Sequence, residues 1–263
     1  MSLNNISFFI SSYLMKGDVL MYAVEMQDLT KQYGSKTVVD GLNLKIEEGE
    51  FFAMLGSNGA GKTTTIKMLS CLVEPTAGDA LMLGYSIRKE EDAVKEMINV
   101  SPQETAVAPK LTVKENLEMI ARLYGFSKEE AVQKTEHLME TFDLTDKQHD
   151  RAKSLSGGWQ RKLSIAMALI SQPKILFLDE PTLGLDVRAR RELWKNIEQL
   201  KGKVTVILTT HYLEEAEALA DRLCIMDKGV VQILGTAEEI IQASGKKDFE
   251  EAFLSYTEGG ELA

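Results

Sequence analysis

The sequence predicts an α/β fold with a mostly parallel core sheet, an antiparallel β subdomain and an inserted α-helical subdomain. Three stretches predict it. The apolar run Phe51-Phe52-Ala53-Met54-Leu55 ends at a glycine-rich turn, and Ile66, Met68, Leu69 and Leu72 supply the apolar positions of a helix beyond it. Ile175-Leu176-Phe177-Leu178 is a continuous apolar run, the pattern of a central parallel strand buried on both faces. Between them, from about Thr112 to Ile170, the apolar residues recur at helical spacing: Leu117, Ile120, Ala121 and Tyr124, then Val132, Leu138, Met139 and Phe142.

Taken in order, Val24-Glu25-Met26 and Leu42 to Ile46 alternate like half-exposed strands, with Lys31-Gln32-Tyr33-Gly34 read as the turn between them. Glu47 to Glu50 is a second turn, leading into the strand at Phe51. After the first helix, Pro75 to Gly78 turns into a short strand, Ala80 to Leu83, and Ile98-Asn99-Val100 is another, stopped by Ser101-Pro102-Gln103. Thr112-Val113-Lys114-Glu115 and Ser127-Lys128-Glu129-Glu130 are capping boxes that start helices, and Thr236 to Glu239 is a third. Leu155-Ser156-Gly157-Gly158 opens a helix carrying Leu163, Ile165, Ala166, Met167, Leu169 and Ile170. Beyond Ile175 to Leu178 come a helix at Arg188 to Leu200, a strand at Val204 to Leu208, a helix near Leu213 to Ala220, and strands at Leu223 to Met226 and Val230 to Leu234. The tail beyond Ser244 is charged and is expected to end loosely. Domain limits are placed at 21–245, with the helical lobe at about 104–170, a tail at 246–263 and an N-terminal extension at 1–20.

With 263 residues, 44% hydrophobic and 27% charged, the composition is that of a globular protein able to bury a core. A net charge of −10 argues against electrostatically driven nucleic-acid binding, so no nucleic acid is expected as a partner. Cys71 and Cys224 lie far apart in apolar runs without metal-ligand spacing and are read as buried structural thiols in a reducing compartment. No stretch reaches the roughly 18 apolar residues that span a bilayer. The first segment, NNISFFISSYLM, lacks the basic flank and the cleavage site of a signal peptide. It is read as a non-essential extension, with a membrane-surface contact or an upstream start before Met21 as the other readings.

The chemistry centres on Gly56-Ser57-Asn58-Gly59-Ala60-Gly61-Lys62-Thr63, which fits G-x-x-x-x-G-K-[ST] without a mismatch between an expected strand and an expected helix. Such a loop turns its N–H groups around a polyphosphate beside the positive end of the following helix. Lys62 can reach the β/γ-phosphates, and the Thr63 hydroxyl can ligate Mg²⁺. Asp179 and Glu180 close the strand Ile175 to Leu178. At its carboxyl end Asp179 would face the ion, and Glu180 can hold an attacking water in line with the γ-phosphate. Gln103 could contact Mg²⁺ or the lytic water, or merely cap a turn. A neutral imidazole at His211 can donate to a γ-phosphate oxygen. His137 and His149 fall in the charged helical lobe as surface groups.

From about Val24 onward these elements resemble the ATP-binding subunit of ATP-binding-cassette (ABC) transporters, in the family's order. The resemblance implies a P-loop NTPase fold and an ATPase using ATP and Mg²⁺. It assigns Tyr33 to the adenine-stacking aromatic and Gly56 to Thr63, with Thr64 beside it, to the Walker A loop. Gln103 matches the Q-loop glutamine, Leu155 to Gly158 the family signature, Asp179 and Glu180 Walker B and the catalytic glutamate, Asp186 the D-loop, and His211 the switch histidine. Metal contacts would come from Thr63, Gln103 and Asp179.

The resemblance further implies a head-to-tail dimer, in which Ser156, Gly157 and Gly158 donate to the γ-phosphate held by a second subunit. A separate transmembrane permease would dock near Gln103 and Thr105 to Lys110, which puts the chain in the cytoplasm, peripheral on the inner face of the plasma membrane. The tail Asp248 to Leu254 resembles that of cassettes exporting drugs, lipids or polysaccharides. Two positions depart from the pattern: Trp159 stands where glutamine is frequent, and Val187 where proline is. For Trp159, packing across an interface and burial in the core both remain open. Rival readings are an import-type cassette, a non-transport ABC ATPase acting on nucleic acid or ribosomes, which the charge disfavours, and a P-loop kinase, in which Ser156-Gly157-Gly158 and Gln103 have no task.

Overall fold

The computed structural model describes residues 22–257, so the N-terminal extension with Met21, and residues 258–263, lie outside the described residues. Strands β1 (Tyr22–Tyr33), β2 (Lys36–Glu47), β4 (Ala77–Met82) and β5 (Tyr85–Ser86) form an antiparallel sheet in the order β2-β1-β4-β5. Strands β3 (Phe51–Leu55), β6 (Ile98–Ser101), β7 (Ile175–Asp179), β8 (Thr205–Thr210), β9 (Arg222–Asp227) and β10 (Val230–Gly235) form the second sheet, ordered β10-β9-β3-β8-β7-β6. All its pairings are parallel except β10 with β9.

The continuous apolar strands are explained by what covers them. Phe51, Ala53 and Leu55 of β3 point into one core, together with Leu176 and Leu178 of β7 and Val206 and Leu208 of β8. Phe52 and Met54 point into a second core on the other face, with Ile175, Phe177 and Ile207. The antiparallel sheet and α1 (Lys62–Leu69) cover that second face. The first core extends into the helical lobe, α3 (Val113–Leu123), α4 (Lys128–Thr141) and α5 (Gly157–Leu169), and into α6 (Val187–Glu198) and α7 (Leu213–Leu219). With both faces buried, alternation gives way to unbroken apolar runs.

The capping boxes form as expected: Thr112 with Glu115, Ser127 with Glu130 and Thr236 with Glu239 each exchange both side-chain-to-backbone bonds. Four local expectations differ. The turn after β1 is confined to Gly34-Ser35, because Lys31, Gln32 and Tyr33 pair with β2. A helix at Glu91–Met97 (α2) had no signal, since only Val94 of it is buried. After α8 (Ala237–Ser244) the chain does not end loosely: Phe249–Thr257 forms α9, which seats Phe249 and Ala252 in the first core. Cys224 is buried, and burial pushes its thiol up to about 12, whereas Cys71 is only half-buried.

Register places the chemistry. Leu55 pairs with Thr210 and Asp179 with Thr209, so the carboxyl ends of β3, β7 and β8 lie side by side. Ligands of open parallel sheets bind along that edge. Gly56, Glu180 and His211 each follow directly on one of these strand ends.

Candidate active site

The loop after β3 can be built only with glycine at its tightest points. A Cβ on Gly56 would lie 2.4 Å from the Met226 carbonyl oxygen, and one on Gly61, at φ 105°, would lie 2.8 Å from that of Val38. The loop delivers Lys62 into the interior, 4% exposed, where Nζ donates to the carbonyls of Gly56 at 2.7 Å and Ser57 at 3.1 Å. Burial lowers the Lys62 pKa, opposed by Glu180, 3.7 Å away, and by Asp179. A cavity of about 380 Å³ opens over the loop, walled by Asn58 to Thr64, Val38, Gln103, Glu180, Leu183 and His211.

At its floor the Thr63 hydroxyl donates to Asp179 Oδ1 at 3.0 Å, and the Thr209 hydroxyl donates to the same oxygen at 2.5 Å. A hydroxyl and one carboxylate beside a phosphate-binding loop suit Mg²⁺, which completes its octahedron with phosphate oxygens and water. Among the described residues no group of three His, Cys, Asp or Glu could hold a metal by itself, in keeping with so sparse a donor set. Glu180, 8% exposed, takes φ 45°, rare for a residue with a side chain. Its amide donates to both the carbonyl and the hydroxyl of Thr209, each at 3.1 Å. Its Oε2 lies 3.1 Å from His211 Nδ1.

Sequence reasoning missed the group that ties this edge together. Arg161 on α5, 3% exposed, donates from Nε to the Pro181 carbonyl at 2.7 Å and from Nη2 to those of Asp179 and Glu180 at 2.8 and 2.9 Å. Its Nη1 reaches the carbonyls of Pro102 and Gln103. Burial lowers the guanidinium pKa to about 10, against the pull of Asp179, Glu215 and Glu180. The one available signal was a charged pair, Arg161 and Lys162, in an otherwise uncharged helix. Thr209 also went unnoticed, although a hydroxyl at the end of a buried apolar strand marks a polar task.

Ser156, Gly158 and Asp186 stand elsewhere. They line a second cavity of about 360 Å³ with Trp159, Lys162, Arg188, Ala189 and Glu192, and no residue is common to the walls of the two cavities. Ser156 N-caps α5 without using its side chain, and Ser156 and Gly157 are exposed. Trp159 is half-buried: its ring packs against the first core and carries the Lys162 ammonium at 5.0 Å. Tyr33 is not brought to the first cavity. It sits 49% exposed at the tip of β1, under the Lys31 ammonium, and Val38 is the β-subdomain side chain in the cavity wall.

A family model described as ABC transporter matches residues 39–183. The chain belongs to this family. As an ABC transporter ATP-binding subunit it is an ATPase, and its relatives are named as ATP-binding proteins. The daunorubicin resistance ATP-binding protein DrrA3 of Streptomyces coeruleorubidus is 41% identical over 224 residues, covering 85% of this chain and 71% of the relative. The Nod factor export ATP-binding protein I of Paraburkholderia xenovorans is 42% identical over 209 residues, 79% of this chain and 68% of its own. Among solved structures, an ATP-binding cassette in a dimeric post-hydrolysis state bound to ADP and phosphate superposes with a TM-score of 0.72 at 27% identity, covering 81% of this chain and 98% of that one. Among the described residues of this ABC subunit no helix is long and apolar enough to cross a membrane.

Proposed function

We propose that two copies of this ATPase close head to tail on two ATP molecules and so drive a separate transmembrane permease that exports a drug, lipid or polysaccharide. In this reading residues 21–245 are the ATPase domain, and the chain works on the inner face of the plasma membrane. The carrying observation is that the phosphate-loop cavity and the signature cavity share no residue. In this reading one chain offers two half-sites, and a second copy completes each. The dimeric neighbour supports this arrangement, and the relatives named for daunorubicin resistance and Nod factor export support the direction of transport.

Within a closed site, Lys62 leaves the loop carbonyls for the β/γ-phosphates, and the loop amides hold the remaining oxygens. Thr63 and Asp179, joined by Gln103 from the cavity wall, would hold Mg²⁺, which when bound offsets charge on the phosphates. Glu180 takes a proton from the attacking water as the water oxygen bonds to the γ-phosphorus and the bond to the β-phosphate oxygen breaks. His211 orients Glu180 and donates to a γ-phosphate oxygen. The exposed Ser156 and Gly157, with Gly158, of the partner copy donate to the same phosphate, aided by the dipole of α5, with Asp186 alongside. Tyr33, from the tip of β1, is proposed to reach the adenine. ATP favours the closed dimer because only that state uses both half-sites, and hydrolysis removes the bridging phosphate.

Glu180→Gln tests the reading. It should bind ATP while hydrolysis falls by about 10² or more, and light scattering should show a dimer with ATP and a monomer without nucleotide. Normal turnover by this variant would remove Glu180 as the base. A dimer that is equally stable with and without ATP would remove the closure mechanism.

A further inference from the structure

Behind His211 lies a chain of side chains that the proposed chemistry leaves without a task. The His211 and Tyr212 rings lie 4.2 Å apart, tilted by 39°. Over the Tyr212 ring also lies Arg190 of α6, its guanidinium carbon 4.1 Å from the ring centre. Next comes Glu215 of α7, 0% exposed, whose Oε1 accepts from Trp194 Nε1 at 3.1 Å. Arg190 and Trp194 are four residues apart on α6 and therefore share a face. Glu215 Oε2 and Arg190 Nε are both buried and lack a hydrogen-bond partner among the described residues. Burial raises the Glu215 pKa, while the Thr210, Trp194 and Thr182 side chains and the Arg190 charge lower it. A fully buried carboxyl that leaves one oxygen unpaired is costly to maintain as mere filling.

We propose that Glu215, Arg190 and Tyr212 are positioning residues for His211. Glu215, bonded to Trp194 one turn along from Arg190, fixes that face of α6, Arg190 carries the Tyr212 ring, and the ring holds the imidazole where Nδ1 meets Glu180. Arg190 also lies in the first turn of α6, its amide bonded to the carbonyl of Asp186 at 2.9 Å. Asp186 lines the other cavity. The same four side chains thus tie the orientation of the histidine in one half-site to the helix start that borders the second. The inference rests on the role proposed for His211 and adds to it how that ring is held.

ATPase kinetics of the full chain decide it. Tyr212→Ala should lower kcat about tenfold or more with the KM for ATP within about twofold, and Tyr212→Phe, which keeps the ring, should restore kcat. Arg190→Met and Glu215→Gln should each lower kcat alone, with Arg190→Lys recovering part of it through a cation–π contact. The deciding measurement is a double-mutant cycle: adding Arg190→Met to His211→Ala should cost nothing further. If the two losses multiply, or if Tyr212→Ala leaves kcat intact, the positioning role is wrong while the histidine reading stands. A normal kcat for His211→Ala alone would instead remove the histidine reading, and this proposal with it.

Discussion

Glu180 occupies a backbone conformation that costs a non-glycine residue of order 1–3 kcal/mol, and the groups that hold it there are identifiable. Thr209 receives its amide twice over while its own hydroxyl donates to Asp179. Thr209→Val keeps the shape and removes the hydroxyl. It should cost about 1–3 kcal/mol in chemical denaturation and reduce kcat more than it raises the KM for ATP; unchanged kinetics would show that the Glu180 backbone holds itself. Residues whose task is written in their neighbours could be read from the sequence: the glycine loop with Lys62 and Thr63, and the acid pair ending an apolar strand. Arg161 could not, because its carbonyl partners lie as far as 59 residues away in sequence and only the folded chain gathers them. Tyr33 lies outside the phosphate-loop cavity, so the motif alone did not say how far that cavity extends toward it.

Elements were legible in proportion to how locally they are encoded. A capping box is complete within four residues, and all three formed as read. A fully buried strand is a run of four or five apolar residues with few alternatives. The missed elements lean on tertiary contacts: α2 buries Val94 alone, and α9 is an acidic segment fixed by Phe249 and Ala252. The second has a measurable weight. Phe249, 4% exposed, is the deepest aromatic anchor of α9, and Phe249→Ala should destabilise the protein by about 3–5 kcal/mol in urea unfolding. A loss below about 1 kcal/mol would mean that α9 adds little to the core. Since α9 also helps wall the cavity beside Arg190 and Tyr212, the same variant tells whether that surface depends on the helix.

At the scale of the whole molecule, α5 has unlike tasks on two faces of its first turns. Its first residues face the second cavity, while Arg161, five residues past Ser156 and so about 7.5 Å along the axis, holds the backbone of Asp179, Glu180 and Pro181. A tilt of the helical lobe would therefore reach the backbone of Asp179 and Glu180 through one rigid element. Its anchoring to α6 is also visible: Lys162 donates to Asp143 at 3.2 Å, and Asn196 donates to the same carboxylate at 3.0 Å. The separation of the two cavities has a genetic consequence. In the proposed head-to-tail dimer, a Lys62→Ala chain is impaired only as holder of its own nucleotide. A Ser156→Asp chain, which sets a negative charge against an incoming phosphate, is impaired only as the lid over another's. Mixed together, the two should complement: each mixed pair contains one wholly intact site and one doubly broken one, and ATPase activity absent from either preparation should return on mixing. A mixture as inactive as its parts would mean that each chain completes its own site after all.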